Sequence, residues 1–230
     1  MKILFNLVDI INSNLEQITG LRGDYKMKSD GSYVSKGDLL VQKLVLNFLS
    51  KKLPTHEFIS EELAIIENKL WQQTGSYIII DPIDGTENFV SGLREWGVGI
   101  SIYTHGTHEE SMIFMPELND WQITGMPIKK FNSRIIGLSS TVKKEDLMNL
   151  PIGDFEFRII GCSMYNTLSA VRGSFVEFKN VKGVNCWDIL PGLNLALEHG
   201  CGVWVDEQPY RGEILFPVKK YKIRISNLEN

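Results

Sequence analysis

The chain has 230 residues, of which 43% are hydrophobic, 23% charged and 10% aromatic, and its formal net charge is −4. This length can bury the core of one sizeable domain or of two small ones. The acidic balance argues against a nucleic-acid polymer or an anionic membrane as the main partner, because both favour a basic face. Three cysteines without a CxxC spacing indicate free buried thiols in a reducing compartment rather than a metal site.

The first twenty residues predict a helix and not a targeting signal. Apolar residues recur at helical spacing from Leu4 to Ile18, so we expect one amphipathic helix that ends near Gly20. No small-residue cleavage site follows it, and no segment reaches the roughly 20 apolar residues that a membrane span needs. We therefore expect a cytoplasmic protein.

The rest of the chain predicts an α+β half followed by an α/β half. In the first half we expect helices over 38–53 and from Thr86 or Glu87, and strands over 56–60, 76–83, 96–103, 109–116 and 121–127. In the second half we expect strands over 133–140, 154–161, 173–178 and 201–207, alternating with helices over 143–149, 163–171 and 187–199. We place the boundary near residue 130 and expect the two halves, 1–130 and 131–230, to pack as one compact unit.

Acidic residues cluster at element ends in three distant parts of the chain. Glu61 and Glu62 follow the strand "EFIS", Asp81 and Asp84 end the run "YIIIDPID", and Asp188 lies in "CWDILPG" at the start of a helix. Carboxylates grouped without Lys or Arg beside them are the usual ligands of Mg²⁺, and the four scattered histidines argue against zinc. Each acidic residue alone is equally well explained as a helix cap or a surface charge. The three clusters together favour a metal site.

The residues after Asp84 indicate a phosphate site. Gly85 permits close approach of the backbone, and Thr86 can cap a helix whose free N–H groups attract phosphate. Metal on one side and a helix N-terminus on the other predict a bound phosphate ester. Two competing motifs fail: the haloacid-dehalogenase phosphatases need a nucleophilic carboxylate where this chain has Pro82, and the alternating oxygen ligands of an EF-hand are absent.

Three segments resemble the signatures of the inositol monophosphatase family of Mg²⁺-dependent, lithium-sensitive phosphatases. They are "FISEEL", "DPIDGTENF" and "CWDILPG", which occur in the order and approximate spacing of the family. The resemblance implies a layered αβαβα sandwich and a homodimer. It also implies two or three Mg²⁺ ions and hydrolysis of a small sugar or polyol phosphate by a water molecule that the metal activates.

Carried over residue by residue, the resemblance implies a role for each matching position. The implied metal ligands, most of them in the 1–130 half, are Glu61, Asp81, the carbonyl of Ile83, Asp84 and Asp188. The implied catalytic residues are Glu61 and Thr86, which orient the water, and Asp38, which holds Thr86. The implied phosphate-binding groups are the amides of Gly85 and Thr86. The implied substrate-binding residues are Asp84, Gly161, Cys162, Ser163, Glu177, Lys179 and Asp188.

The sequence departs from the family pattern on the substrate side. Ser35 replaces a family threonine before Asp38, while Phe175 and Lys179 stand where we expect carboxylates that contact ring hydroxyls. An ammonium attracts negative charge, so we expect weak preference for inositol phosphate and better use of a substrate with an extra acidic group, unless Glu177 takes over the carboxylate role.

Three further functions stay open on the sequence alone. The nearest is a 3'(2'),5'-bisphosphate nucleotidase, although such relatives usually carry Lys-Glu-Phe where this chain has Glu87-Asn88-Phe89. Fructose 1,6-bisphosphatase is weakened by the lack of an obvious Arg/Lys cluster for a second phosphate. The alternative of another class is a catalytically silent phosphate- or metal-binding module, against which the intact acidic set argues.

Overall fold

The computed structural model describes residues 3–63, 69–148 and 153–228. Its helices are α1 (Phe5–Ser13), α2 (Leu15–Gly20), α3 (Lys36–Lys52), α4 (Thr86–Val90), α5 (Lys144–Met148), α6 (Ser163–Val171) and α7 (Cys186–Glu198). Its strands are β1 (Tyr25–Met27), β2 (Tyr33–Ser35), β3 (Glu57–Ser60), β4 (Tyr77–Asp84), β5 (Gly97–Thr104), β6 (Thr107–Met115), β7 (Asp120–Ile123), β8 (Ile135–Leu138), β9 (Glu156–Ile159), β10 (Glu177–Val184), β11 (Gly202–Val205), β12 (Gln208–Pro209) and β13 (Tyr221–Ser226).

Two larger sheets form the β layers. The first has the strand order β3–β4–β5–β6–β7, with β3 and β4 parallel and the other neighbours antiparallel. The second has the order β12–β11–β13–β10–β8–β9, in which β8 runs parallel to both β10 and β9. Strands β1 and β2 form a separate antiparallel hairpin.

Helices lie on both faces of the five-stranded sheet, because its interior strand β4 is apolar on both sides. Ile78 and Ile80 of β4 share a core cluster with α1, α2 and α3, whereas Ile79 points into the cluster that holds α6 and α7. This alternation reads in sequence as a continuous apolar run, as expected for a strand buried on both faces.

The second sheet completes the layered order. Helices α6 and α7 lie between the two sheets, and the core cluster there includes Phe178 and Ile225 of the second sheet. On the outer face of that sheet Ile136 and Leu138 form a small cluster, and α5 is joined to β10 by the Lys182–Asp146 ion pair. The result is the αβαβα sandwich expected from the sequence.

Several elements differ from the sequence-based expectation. The first helix is broken at Asn14, whose side chain donates to the carbonyl of Ile10 at 2.7 Å while its backbone leaves the helical region. The strand expected over 173–178 begins only at Glu177, because Gly173 forms a turn with φ +75°. The hairpin β1–β2 and the strand β13 were not expected. Of the helix expected over 143–149, Lys144–Met148 are helical, and residue 149 lies outside the described residues.

Within residues 3–63, 69–148 and 153–228, no helix combines the length and the apolar character that crossing a membrane requires.

Candidate functional site

Glu61, Asp81 and Asp188 converge from three separate elements. Glu61 directly follows β3, Asp81 lies in β4, and Asp188 is the third residue of α7. The parallel pairing of β3 with β4 brings Glu61 beside Asp81, and α7 packs against β4 and its neighbours. One carboxylate oxygen from each of the three residues lies within 4.8 Å of the others.

The carboxylate of Asp81 fits a divalent cation. Both of its oxygens are buried, and neither has a hydrogen-bond partner among the described residues. Burial raises the pKa of Asp81 well above its usual range, and the charges of Glu61, Asp188 and Asp84 raise it further. A buried carboxylate that accepts no hydrogen bond is energetically costly. A group of ligand atoms that are all oxygen, as here, suits a hard cation such as Mg²⁺. The residues present therefore fit the metal that the resemblance implies.

Asp84 lies beside this group but is held by α6. Its Oδ2 accepts hydrogen bonds from the backbone N–H of Met164 at 2.6 Å and from the thiol of Cys162 at 2.9 Å. Burial raises the pKa of Asp84 to about 6 in spite of these donors. Residues three apart in a regular strand face opposite sides, but the pairing of β4 with β5 shifts register between Asp81 and Asp84. Both carboxylates therefore line the same cavity.

The hydroxyl of Thr86 is fixed by Asp38. Its Oγ1 lies 3.2 Å from Oδ1 of Asp38 and 2.9 Å from the carbonyl oxygen of Ile83. Asp38 is itself the third residue of α3 and forms a capping box with Ser35, whose N–H and hydroxyl donate to Oδ2 at 2.8 and 2.5 Å. Ser35 therefore performs the capping for which the resemblance led us to expect threonine.

Gly85 permits the close packing between α4 and α6. Its φ is +80°, and a Cβ at this position would lie 3.0 Å from the Cβ of Cys162 and 3.3 Å from the carbonyl oxygen of Glu95. Asn88 strengthens the same junction, because its side-chain amide donates to the carbonyls of Glu95 and Ile160. Helix α4 has only five residues, so phosphate binding at the amides of Gly85 and Thr86 stays a prediction.

An unexpected cation lies against the acidic group. Lys28, in the connection between β1 and β2, places its ammonium 2.8 Å from Glu61 and 2.6 Å from Glu62. Burial raises the pKa of Glu61, and the Lys28 ammonium opposes that shift. Burial lowers the pKa of Lys28, but the two glutamates outweigh it and raise the pKa overall. The expectation of carboxylates without a neighbouring Lys or Arg is therefore wrong at Glu61.

These residues line a cavity of about 480 Å³. Its wall includes Glu61, Asp81, Asp84 and Asp188, which we call its acidic wall, and also the carboxylates of Asp30 and Glu87. Residues 30–32 of the β1–β2 connection and the first residue of β2 line it as well. The remaining walls include Gly161, the hydroxyl residues Ser140 and Thr141, and Lys220. The alternating pattern around "SDG" at 29–31 could have predicted the hairpin, but no local signal pointed to Ser140, Thr141 or Lys220.

Two of the expected substrate-binding residues, Glu177 and Lys179, lie away from the cavity wall. Glu177 is only 3% exposed and is paired with Lys179 at 2.6 Å and with Arg224 at 3.6 Å. It is the first residue of β10, whereas Asn185 on the cavity wall follows the last one, roughly 20 Å further along the strand. Phe175 is buried in the core. The structure thus contradicts the prediction that Glu177 and Lys179 contact substrate.

The three residues of the segment "GCS" lie at different places relative to the cavity. Gly161 lines the cavity with φ +82°, while Cys162 is buried behind Asp84 and caps α6 by accepting from the N–H of Tyr165 at 3.3 Å. Ser163 is the first residue of α6 and is not part of the cavity wall. Substrate contact by Ser163 stays a prediction.

The fold and the site agree with the comparison of this chain with known proteins. The sequence profile of the inositol monophosphatase family matches residues 1–134. The chain therefore belongs to the inositol monophosphatase family.

Two curated relatives are similar over most of the chain. An inositol-1-monophosphatase of Mesorhizobium japonicum is 26% identical over an alignment of 206 positions that covers 76% of this chain and 72% of the relative. A protein of Pasteurella multocida named Nus factor SuhB is 28% identical over 198 residues, with the same two shares covered. The sequence relatives thus carry names of two different kinds.

Solved structures with low sequence identity share the fold. An IMPase of Thermotoga maritima superposes with a TM-score of 0.81 at 20% identity, covering 99% of this chain and 92% of that one. A staphylococcal inositol monophosphatase-1 in a LiCl-soaked inhibitory complex gives 0.81 at 19% identity, with 97% and 88% covered. An IMPase/NADP phosphatase complexed with Mg²⁺ and phosphate gives 0.73 at 21% identity, with 98% and 92% covered.

Proposed function

We propose that the protein is a Mg²⁺-dependent phosphomonoesterase that hydrolyses a small sugar or polyol phosphate. The observation that carries the proposal is the carboxylate of Asp81, whose two buried oxygens have no partner among the described residues and face Glu61 and Asp188. A fold that retained this arrangement without a cation would bear an unbalanced cluster of like charges.

The ligand set assigned to two or three Mg²⁺ ions is Glu61, Asp81, the carbonyl of Ile83, Asp84 and Asp188. When bound, the ions would lower the pKa of a water molecule and neutralise negative charge on the phosphoryl oxygens. The N–H groups of Gly85 and Thr86 would donate to the phosphoryl group from the opposite side.

Thr86 is assigned the orientation of the attacking water. Its hydroxyl lies between two acceptors, Asp38 and the carbonyl of Ile83, so its single proton is directed at them and its lone pairs are left to accept from a water molecule. Glu61 lines the same cavity and would accept a second hydrogen bond from that water. Positioning of this kind removes much of the entropic cost of bringing water and ester together.

The names of similar proteins support this proposal. One relative is named an inositol-1-monophosphatase, one structural neighbour was solved with Mg²⁺ and phosphate, and another with LiCl. We therefore also expect inhibition by millimolar Li⁺. A homodimer is part of the proposal and is tested by sedimentation of the purified protein.

A catalytically silent role is the second candidate, because one of the similar relatives is named a Nus factor. In that case the acidic group would bind metal, yet no ester would be hydrolysed. Release of phosphate in an assay separates the two functions directly.

The test is an assay of EDTA-treated protein on inositol, sugar, glycerol and nucleotide monophosphates, with and without added Mg²⁺. We expect activity only with Mg²⁺, and we expect Thr86→Ala to lower kcat by about 10²-fold or more. Thr55→Ala, at an exposed threonine outside the cavity, is the matched control and should behave as wild type. Undiminished activity in EDTA, or no activity on any ester, would contradict the proposal.

A further inference from the structure

Lys220 is a cation on the wall of the acidic cavity, and Asp30 on the same wall lies close enough to be affected by its charge. Among the residues that the structure describes, the Lys220 ammonium has no ion pair and no hydrogen bond, whereas Lys28 is held by Glu61 and Glu62. The adjacent Lys219 is equally exposed, but it is paired with Asp206 at 2.6 Å. A charge that faces a cavity without a partner is available to a ligand.

The position of Lys220 is set by strand pairing. The pairing of β10 with β13 moves from Asn180–Ile223 to Val184–Tyr221, which leaves two extra residues on β10. The carboxamide oxygen of Asn180, a residue only 1% exposed, accepts from the N–H groups of residues 182 and 183 and so holds this bulge.

Gly183 at the bulge lets Lys220 approach. Its φ is +93°, and a Cβ there would lie 3.0 Å from the Cβ of Lys220. The chain continues from Gly183 to Asn185, which caps α7 by hydrogen bonding with Asp188. Lys220 therefore lies next to the segment that carries one of the proposed metal ligands.

The chemistry around Lys220 suits an anion. Metal ions bound at the acidic wall would neutralise its four carboxylates, so that wall would take the phosphoryl group. Lys220 and the hydroxyl residues Ser140 and Thr141 remain for the other part of the ester, together with Asp30 and Glu87, the two carboxylates of the wall outside the proposed ligand set. An ammonium with neighbouring hydroxyl donors recognises a carboxylate or a phosphate, and a neutral polyol would leave that positive charge unused.

We infer that Lys220 selects phosphate esters whose alcohol part carries a second anionic group, an inference that rests on the proposed phosphatase function. It moves the expected preference for an acidic substrate from Lys179, which is paired with Glu177, to a lysine at the cavity.

The first experiment compares kcat/KM for esters that differ in one group. The pair 3-phosphoglycerate and glycerol 3-phosphate tests a carboxylate, and the pair fructose 1,6-bisphosphate and fructose 1-phosphate tests a second phosphate. We expect wild type to favour the more anionic member of at least one pair roughly tenfold, the size of a hydrogen bond to a charged group. Lys220→Met should bring this ratio of kcat/KM values close to one by raising KM for the more anionic ester. Lys219→Met, the matched control, should keep the wild-type ratio.

The second experiment measures binding without turnover. Calorimetric titration of the Mg²⁺-loaded protein with 3-phosphonopropionate and with propylphosphonate compares two phosphonates that differ in one carboxylate. We expect wild type and Lys219→Met to bind 3-phosphonopropionate more tightly, and Lys220→Met to bind both alike.

The outcomes separate this inference from the proposed function. Equal loss of kcat/KM for both members of each pair in Lys220→Met would mean that Lys220 serves the phosphoryl group, which overturns the inference while the phosphatase function stands. A wild-type ratio near one in both pairs and in the titration also overturns it. If no ester is hydrolysed but the phosphonates are still distinguished through Lys220, the phosphatase function fails and the anion subsite stands.

Discussion

Asp81 is a fully buried carboxylate that lies close to three other carboxylates. Its carboxyl has a raised pKa because it is buried, and because Glu61, Asp188 and Asp84 lie close to it. At neutral pH the folded metal-free protein must therefore either carry this charge at a cost or keep a proton that the unfolded chain would release.

We expect Asp81→Asn to stabilise the metal-free protein and to remove its response to Mg²⁺. The neutral amide relieves like-charge repulsion, and a gain of roughly 1 kcal/mol would raise Tm by about 2–4 °C in a chain of this size. Thermal unfolding in EDTA and in Mg²⁺ measures both effects. Asp24→Asn, at an exposed aspartate paired with Lys36, should leave both melting curves unchanged. A variant less stable than wild type in EDTA would show that Asp81 is not under electrostatic strain.

Cys162 positions Asp84 through its thiol. The thiol donates to Asp84 and accepts from the N–H of Tyr165, so a hydroxyl can replace it but an alkyl group cannot. We expect Cys162→Ser to retain activity, and Cys162→Val to lower kcat/KM about fivefold, the value of one hydrogen bond near 1 kcal/mol.

The pH profile distinguishes this role from simple packing. Loss of the donor should raise the pKa of Asp84 in the metal-free protein above its present value of about 6, so the rise of Mg²⁺ affinity with pH should move upward in Cys162→Val. Cys201→Val changes another buried cysteine away from the cavity and should keep the wild-type profile. An unshifted profile in Cys162→Val would remove the positioning role.

At the scale of the elements, the start of α3 connects helix stability to the candidate site. Ser35 caps the helix and also fixes Asp38, which holds Thr86. We expect Ser35→Ala to cost about 1 kcal/mol of unfolding free energy and to lower kcat as well. Urea unfolding and steady-state kinetics measure the two effects.

The controls for this prediction lie in the same helix. Ser35→Thr should restore both properties, because threonine can form the same capping box. Ser50→Ala, at an exposed position in α3, should leave kcat unchanged and should not destabilise the protein. If Ser35→Ala lost stability but kept full kcat, the connection from Ser35 to Thr86 would be absent.

At the scale of the whole molecule, the two sheets share one core. The largest cluster joins Ile79 and Met115 of the five-stranded sheet to Leu193 of α7 and to Phe178 and Ile225 of the six-stranded sheet. We therefore propose that residues 1–130 and 131–230 unfold together, and we expect one calorimetric transition whose van't Hoff and calorimetric enthalpies agree. Two resolved transitions would mean that the halves are independent domains.

The stabilising effect of Mg²⁺ should depend on pH. Burial raises the pKa of Asp84 to about 6, and burial also raises the pKa values of Asp81 and Asp188. A raised carboxyl pKa means that the folded metal-free protein binds more protons than the unfolded chain, so its stability falls as pH rises from about 4 through the folded pKa. Magnesium needs the deprotonated form, so its contribution grows over the same range.

We therefore expect the difference in Tm between Mg²⁺ and EDTA to be small near pH 5 and to increase through pH 6 towards pH 8. Burial lowers the pKa values of His56 and His199, so these two groups make the folded state more stable as pH rises, both in Mg²⁺ and in EDTA. Neither histidine lines the cavity, so their effect cancels in the difference. Thermal melts at matched ionic strength measure the difference in Tm between Mg²⁺ and EDTA. A difference that is constant or that decreases with pH contradicts the prediction.

The sequence by itself determined the family, the layered fold and the acidic part of the site. "DPIDGTENF" contains a buried strand, its paired aspartates, a glycine turn and a helix start within a few residues, so local chemistry was enough to predict their association. The sequence also predicted that Glu61 and Asp188 lie close to this motif, because both residues stand at element ends that the layered fold brings together.

Only the tertiary structure decided which residues surround the rest of the cavity. The resemblance assigned Glu177 and Lys179 to the substrate side, but β10 begins at Glu177 and reaches the cavity only at its other end, where Asn185 follows it. Lys28 lies in the β1–β2 hairpin and reaches Glu61 and Glu62, which are distant in the chain. Lys220 directly precedes β13, whose partner β10 is also distant in the chain. Strand pairing and a bulge depend on partners that no local pattern identifies, because a shift in register changes which side chains face the site.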